Sequence, residues 1–429
     1  MNPAPVAALA RTLELPVITV AIFLAPILPL KHSIVFFTLS DLFFCLALVL
    51  MVLAGRVPRA PLGRATSVWL LSCATLLSGI VVSSLFGPAP LRSLIVCGQY
   101  AFAFVLLLFL IAGRDDATTH FLVKTFVLSI VLSQIVGFSE YFFDFDFGIS
   151  IVNPSFTILT GNGRLTSLIG DANGNAALIA FIFPFVLYLW LSGRMAGWVV
   201  LPAALILGTA VVLTSSNSGL AATLLGLVCF LGTAGSYGLR ATRIIIGALA
   251  VAIVVWGSMG FTLPYTFEQR VLGAVESGDL EEAGTFRSRM NLMIEAVDIV
   301  DDALLFGLGA DQFREVSVQK APVHNMYLLL WAEGGLIALV GWLSLMTLPL
   351  VGVIRLRATG DPRSRLLASF ALTVVIVFCG AAFNSPHMYG RYWAVPFVLL
   401  VGLVFRPVWQ GAANPAWPAS AGAEQRGGP

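Results

Sequence analysis

A succession of apolar runs, each about 17 to 25 residues long, constrains this chain more than any other feature. A helix needs about 20 apolar residues to cross the hydrocarbon core of a bilayer, so runs of this length predict membrane-spanning helices. Of the 429 residues, 58% are hydrophobic and 11% are charged. The composition therefore indicates one polytopic helical membrane domain rather than several soluble domains.

Hydropathy and polar breaks predict an all-α bundle of about 12 transmembrane helices with a helical periplasmic cap. The spans are proposed at residues 15–30, 34–54, 67–86, 95–113, 121–138, 174–192, 197–214, 218–235, 244–262, 325–354, 366–383 and 391–405. Residues 1–262 thus hold helices 1–9, and residues 324–410 hold helices 10–12. The Gly, Ala and Pro-rich residues 411–429 are expected to be a disordered tail.

One long polar segment, residues 263–323, interrupts the apolar pattern. It holds 11 of the 22 acidic residues and five of the 24 basic residues, which predicts a water-exposed cap. Within it, apolar residues recur at helical spacing and predict an amphipathic helix over residues 286–305 with these side chains on its apolar face: Phe286, Met290, Met293, Val297 and Leu304. Gly307 and Gly309 are expected to end that helix.

The arginines predict the orientation in the membrane. Under the twelve-span count, the following arginines share one face: Arg56, Arg59, Arg64, Arg114, Arg194, Arg240, Arg243, Arg355, Arg357, Arg363, Arg365 and Arg406. The positive-inside rule makes that face cytoplasmic. Both termini are then cytoplasmic, and the cap and the loop at residues 139–173 are periplasmic in a bacterial inner membrane.

The tenth span is too long for a bilayer. A helix of about 31 residues would be roughly 46 Å long, whereas the hydrocarbon core is about 30 Å thick. Either the first turns project outward or the helix breaks at Gly334 and Gly335. Both alternatives place His324 and Asn325 at the outer membrane surface, directly after the cap.

The outward polar residues suggest a binding site for an anionic phosphate group. Arginine donates bidentate hydrogen bonds to phosphate oxygens, and a histidine can remove a hydroxyl proton near neutral pH. The candidate catalytic residues are His324 and Arg289. The candidate substrate-binding residues are Arg164, Asn173, Asn217, Arg287, Arg314, Asn325, Glu333 and Arg391. Metal-ligand spacing and nucleotide-binding loops are not found in the sequence, so we expect no metal, no cofactor and no nucleic-acid role.

Five stretches, in this order, resemble the O-antigen ligase and polysaccharide polymerase superfamily. They are GRLTSLIGDANGNAALIAFIFPF, LTSSNSGLAATLLGL, RSRMNLMIEAVDIVDDALLFGLGADQF, VHNMYLLLWAEGGLIAL and GRYWAVPFVLLVGL. The resemblance covers most of residues 160–405. It implies metal-independent transfer of a glycan from an undecaprenyl diphosphate carrier to a glycan or lipid A-core acceptor at the periplasmic membrane face.

The resemblance also assigns residues. Arg289 is similar to the arginine that opens the cap helix, and His324-Asn325 to the family's His-Asn pair. The other matches are Gly307 and Gly309 with the GxG after the cap helix, Arg164 and Asn173 with the polar residues before the sixth span, and Glu333-Gly334 with the Glu-Gly of the tenth. Members usually carry Ser-Arg-x-Gly where this chain has Ser216-Asn217-Ser218-Gly219, and asparagine cannot supply the positive charge. Arg164, Arg287 or Arg391 would then bind the diphosphate, or activity is altered.

These observations predict an inverting glycosyltransferase, either a polysaccharide polymerase or an O-antigen ligase. His324 would deprotonate the acceptor hydroxyl, and Arg289 would stabilise the departing diphosphate. Alternatives are a transporter or flippase for the same lipid-linked glycan, a protein O-oligosaccharyltransferase, or a structural subunit of a secretion complex. A transporter would place its polar residues near the membrane midplane in related halves, whereas here they gather at one face.

Overall fold

The computed structural model describes residues 3–31, 37–85, 87, 89–243, 245–247, 263–273, 286–302 and 304–413. Its main helices are α1 (Pro3–Leu24), α2 (Leu39–Leu53), α3 (Ala65–Ser84), α4 (Pro90–Ile111), α5 (Asp116–Phe143), α6 (Ala172–Leu191), α7 (Gly197–Thr214), α8 (Asn217–Thr233), α9 (Phe286–Asp302), α10 (Met326–Ala358), α11 (Pro362–Ala382) and α12 (Arg391–Ala413). Shorter helical segments lie at Ile149–Val152, Ser167–Ile169, Tyr265–Phe267, Glu268–Leu272 and Phe313–Val316. A π-helical turn at Phe102–Leu106 interrupts α4.

Within these described ranges, eight helices are long and apolar enough to cross a membrane: α1, α3, α4, α5, α6, α7, α10 and α11. The apolar helices α2 and α8 are shorter. The chain is therefore a multi-pass helical membrane protein, as predicted. The proposed span at residues 244–262 lies outside the described residues apart from 245–247, and so does the proposed tail from residue 414 onward.

The first helix begins and ends earlier in the chain than predicted. It begins at Pro3 rather than near residue 15 and ends at Leu24 rather than near residue 30. Pro26 follows two residues after this end, and prolines are common shortly after the end of a helix. Hydropathy misplaced these boundaries because it responds to the apolar residues that follow the helix as well as to those within it.

Helices α3 and α10 pack with their backbones in close contact. A Cβ atom added at Gly79 would lie 2.4 Å from the backbone nitrogen of Ala338, and one added at Gly341 would lie 2.3 Å from that of Leu76. Small residues allow such close approach between membrane helices. Helix α12 lies inside the bundle, where Trp393 and Phe397 are fully or almost fully buried.

Helix α10 is broken at Gly335, whose φ of 69° and ψ of −179° are not helical. This was one of the two alternatives that the length of the span allowed. The carbonyl of Ala332 accepts a hydrogen bond from the Leu308 N–H at 2.8 Å, and that of Glu333 accepts one from the Gly309 N–H at 2.8 Å. The cap loop thus satisfies backbone groups that the break leaves without helical partners.

The cap packs on the first turns of α10 through a small apolar cluster, separate from the main core. Its buried members are Leu292, Ala296, Val300, Phe313, Val323, Leu329 and Ala332. The glutamate at the break adds polar contacts, because the Glu333 carboxylate accepts hydrogen bonds from the backbone N–H groups of Asp311 at 2.8 Å and Phe313 at 3.1 Å. The membrane face that carries the cap is called the cap face below.

Candidate functional site

Arg164 lies in the loop before α6, and its side chain is held in one orientation. Its Nε donates a hydrogen bond to the Thr214 carbonyl at 2.8 Å, and one of its terminal nitrogens donates to Asn173 Oδ1 at 2.7 Å. Both partners are neutral, and only 8% of the residue is exposed. Asn173, a predicted substrate-binding residue, therefore orients this arginine.

Three helices begin at the cap face, and a side chain caps the N-terminus of each. Asp171 caps α6 by accepting from the Gly174 N–H at 2.5 Å, and Ser216 caps α8 by accepting from the Gly219 N–H at 3.3 Å. Asn325 caps α10, because its Oδ1 accepts from the Tyr327 and Leu328 N–H groups at 3.0 and 3.2 Å. The N-terminus of a helix carries a partial positive charge and favours anions. Asn325, predicted to bind substrate, thus has a defined role in starting α10.

The cap helix α9 forms as predicted, but its buried face is a different one. Met290 and Val297, which were expected to face inward, are 39% and 47% exposed. The buried stripe instead runs through Leu292, Ala296 and Val300, which are at most 4% exposed. The prediction was wrong because α9 carries two apolar stripes, and packing against α10 buries the other one.

Because a different face of α9 is buried, the two arginines at its start lie in different surroundings. Arg289 is half-buried and continues the buried stripe three residues before Leu292, whereas Arg287 is exposed. Residues two apart on a helix lie on roughly opposite sides. The structure therefore turns Arg289 toward the membrane domain and leaves Arg287 toward the outside.

His324 lies immediately before α10 and close to Arg289 and Asp171. Burial lowers the pKa of its imidazole below the ordinary value, the charge of Arg289 lowers it further, and Asp171 opposes both effects. The pKa of Arg289 is itself lowered, first by burial, with Asp171 raising it and Arg270 lowering it. The imidazole is therefore neutral at neutral pH and can accept a proton.

Sequence reasoning missed Arg270, which the structure brings to the same place. Burial is the largest cause that lowers the pKa of Arg164 to about 10, and Arg270 is the next, while Asp171 opposes them and Arg289 adds to them. We call Arg164, Arg270 and Arg289, with Asp171 and His324, the arginine cluster. Arg270 lies in a short π-helical turn, and no pattern in the sequence distinguished it from the other polar residues of the cap.

The side chain of the predicted site residue Asn217 contacts the backbone of Arg270, a member of this cluster. Its Nδ2 donates to the Arg270 carbonyl at 2.9 Å. Its buried Oδ1 has no hydrogen-bond partner within the part of the chain that the structure describes.

Two other predicted residues are engaged elsewhere. Arg391 forms a buried ion pair with Asp41 and donates to Gln99 Oε1 at 2.7 Å. Arg314 is bonded to Asp311, with Nε 2.7 Å from Oδ1. The structure therefore leaves both arginines out of the arginine cluster. Arg391 pairs with Asp41 from 350 positions away, whereas Arg314 pairs with Asp311, three positions before it.

Comparison with known protein families bears on the same region. Residues 202–343 match the O-antigen ligase family. The matched region runs from α7 into α10 and contains Asn217, Arg270, Arg289 and His324, whereas Arg164 and Asp171 precede it. The match supports the O-antigen ligase and polymerase superfamily and a membrane enzyme of that type. No curated protein was found to match the chain.

Proposed function

We propose that this protein is a metal-independent, inverting glycosyltransferase of the bacterial inner membrane. It would move or polymerise a glycan from an undecaprenyl diphosphate carrier onto an acceptor hydroxyl at the periplasmic face, which is the cap face. The observation that carries the proposal is the position of His324, which is half-buried near Arg289 and directly precedes a membrane helix at the cap. An O-antigen ligase domain over residues 202–343 supports the same type of chemistry.

In the proposed reaction His324 takes the proton of the acceptor hydroxyl. The acceptor oxygen forms a bond to the anomeric carbon of the carrier-linked sugar while the bond from that carbon to the diphosphate oxygen breaks. The diphosphate leaves with the electron pair, and direct displacement inverts the configuration at the anomeric carbon. Proton transfer to a positioned base contributes roughly 10² to 10⁴-fold to such a rate.

Arg164 and Arg289 would stabilise the departing diphosphate. Guanidinium groups form short, charge-assisted hydrogen bonds with phosphate oxygens. Arg164 is buried and Arg289 is half-buried, so their interaction with an anion is stronger than on an open surface. A bound anion would also relieve the repulsion that lowers the pKa of each of them.

The test uses purified protein in liposomes with undecaprenyl diphosphate-linked oligosaccharide, offered alone or with lipid A-core as acceptor. Lengthened glycan indicates a polymerase, and glycan on lipid A-core indicates a ligase. We expect His324→Ala to lower the transfer rate by roughly 10² to 10⁴-fold while the carrier still binds. Near wild-type transfer by His324→Ala would show that the base assignment is wrong. Movement of carrier-linked glycan across the bilayer without bond formation would instead support a transporter.

A further inference from the structure

The short segment that carries Arg270 is attached to the turn between α7 and α8 at two points. Asn217 Nδ2 donates to the Arg270 carbonyl at 2.9 Å, and the hydroxyl groups of Ser215 and Thr266 lie 3.1 Å apart. Phe267 and Val271, on either side of Arg270, are both buried. The backbone that presents the Arg270 side chain is therefore held by hydrogen bonds and by packing.

The same turn holds Arg164. The Thr214 carbonyl accepts from Arg164 Nε at 2.8 Å, and Thr214, Ser215 and Ser216 are at most 2% exposed. Residues 214–217 thus form one platform, buried except at Asn217, that bonds to the Arg164 side chain at one end and to the Arg270 backbone at the other. Two arginines that lie more than a hundred positions apart in the sequence are thereby fixed to one structural element.

The charges of these arginines act on one another. Besides burial, Arg270 lowers the pKa of both Arg164 and Arg289. Guanidinium groups that repel one another in a partly buried place are stabilised by a shared anion. A diphosphate carries several oxygens at fixed spacing and can accept hydrogen bonds from more than one guanidinium.

We propose that Arg270 is a further diphosphate-binding residue of this site and that Asn217 is the positioning residue that holds it there. This inference rests on the proposed function. Arg270 would supply, from another segment, the positive charge that Asn217 cannot supply at its own position. Asn217 would act through the backbone of Arg270 and need not contact the diphosphate.

The test measures binding of farnesyl diphosphate and farnesyl monophosphate to the purified full-length protein in detergent by isothermal titration calorimetry. For Arg270→Gln we expect the Kd for the diphosphate to rise about tenfold and the Kd for the monophosphate to rise less. Arg270→Lys should keep part of the affinity because it keeps the charge. Arg363→Gln, which removes an exposed arginine distant from the cap, is the matched control and should leave both values unchanged.

A double-mutant cycle tests the positioning role. Asn217→Ala should weaken diphosphate binding less than Arg270→Gln does, and the two changes together should cost less than the product of the single effects. Asn217→Arg in the Arg270→Gln background should recover affinity by returning a guanidinium to the platform. If Arg270→Gln prevents folding, Arg270→Lys and Asn217→Ala are used for the test instead. The inference is overturned if both variants prefer the diphosphate over the monophosphate as strongly as the wild type does.

The outcomes also separate this inference from the proposed function. Wild-type protein that binds farnesyl diphosphate no better than the monophosphate would contradict the diphosphate site as a whole. Wild-type protein that prefers the diphosphate, together with a folded Arg270→Gln variant of the same preference, would overturn only the role of Arg270. His324-dependent glycan transfer would stand in that second case.

Discussion

The two membrane faces of this protein both gather arginines, but they use them differently. On the face opposite the cap, Arg114 lies 2.7 Å from the buried carboxylate of Glu14, and Asp116 pairs with Arg194 and Arg406. These ion pairs connect helices that are distant in the sequence. In the arginine cluster, Arg164 and Arg289 form no ion pair within the described ranges, and the partners of Arg164 are a carbonyl and an amide oxygen.

The contrast teaches which arginines hold the fold together and which are available for a ligand. A buried cation with a carboxylate partner is already neutralised, and removing it leaves an uncompensated charge. A cation whose partners are neutral keeps its charge for an incoming anion. The same distinction explains why Arg391 and Arg314, which have carboxylate partners on the cap side, behave like the arginines of the opposite face.

The largest effect should follow from breaking an ion pair on the face opposite the cap. Arg114→Ala leaves Glu14 buried and should lower the free energy of unfolding by roughly 3 kcal/mol. Arg56, 3.8 Å from the same carboxylate but with 57% of its side chain exposed, provides the control, and Arg56→Ala should cost less than about 1 kcal/mol. Equilibrium unfolding in mixed SDS micelles measures both values. Equal stability of the two variants would contradict the structural role of this face.

Removing charge from the arginine cluster should affect activity rather than stability. Arg289→Gln should lower kcat/KM for glycan transfer by about 10 to 100-fold, since a hydrogen bond to a charged group contributes about 1.5–3 kcal/mol. Arg287→Gln, two residues earlier on the exposed side of α9, should change it less than about threefold. Rates from the liposome assay, normalised to folded protein, provide the measurement. A larger loss of kcat/KM for Arg287→Gln than for Arg289→Gln would show that α9 turns Arg287, and not Arg289, toward the substrate.

A smaller effect concerns the pH dependence of transfer. His324 has a lowered pKa, so kcat should fall on acidification only below the ordinary histidine value of about 6.5. Arg289→Gln removes a charge that disfavours the imidazolium and should move this acid limb to higher pH. Asp171→Asn removes a charge that favours the imidazolium and should move it to lower pH, while asparagine can still cap α6.

The pH profiles of both variants can be recorded with the liposome assay between about pH 5 and about pH 8. Shifts in opposite directions are the signature of one titrating group that lies between Arg289 and Asp171. Shifts in the same direction, or no shift in either variant, would show that another group controls the rate.

The sequence by itself determined the membrane class, most of the helices and the position of His324 between the polar segment and α10. Apolar runs and the polar segment 263–323 can be recognised from residues that are neighbours in the chain. The length of the apolar run that became α10 can be recognised in the same way, and it allowed a break at Gly334 and Gly335 as one of two solutions. The Asn325 cap also depends on neighbours in the chain, because its side chain bonds to N–H groups two and three residues on. Such features could be predicted because the interactions that produce them lie within a few residues.

Only the tertiary structure decided which arginines form the candidate site. Arg391 and Arg164 look alike in the sequence, but Arg391 meets Asp41 from 350 positions away, whereas Arg164 meets the Thr214 carbonyl and Asn173. The face of α9 was misjudged for the same reason, since packing on α10 selected between two apolar stripes. Burial and charge pairing depend on contacts between distant segments, and Arg270 became visible as a member of the cluster only when those contacts were formed.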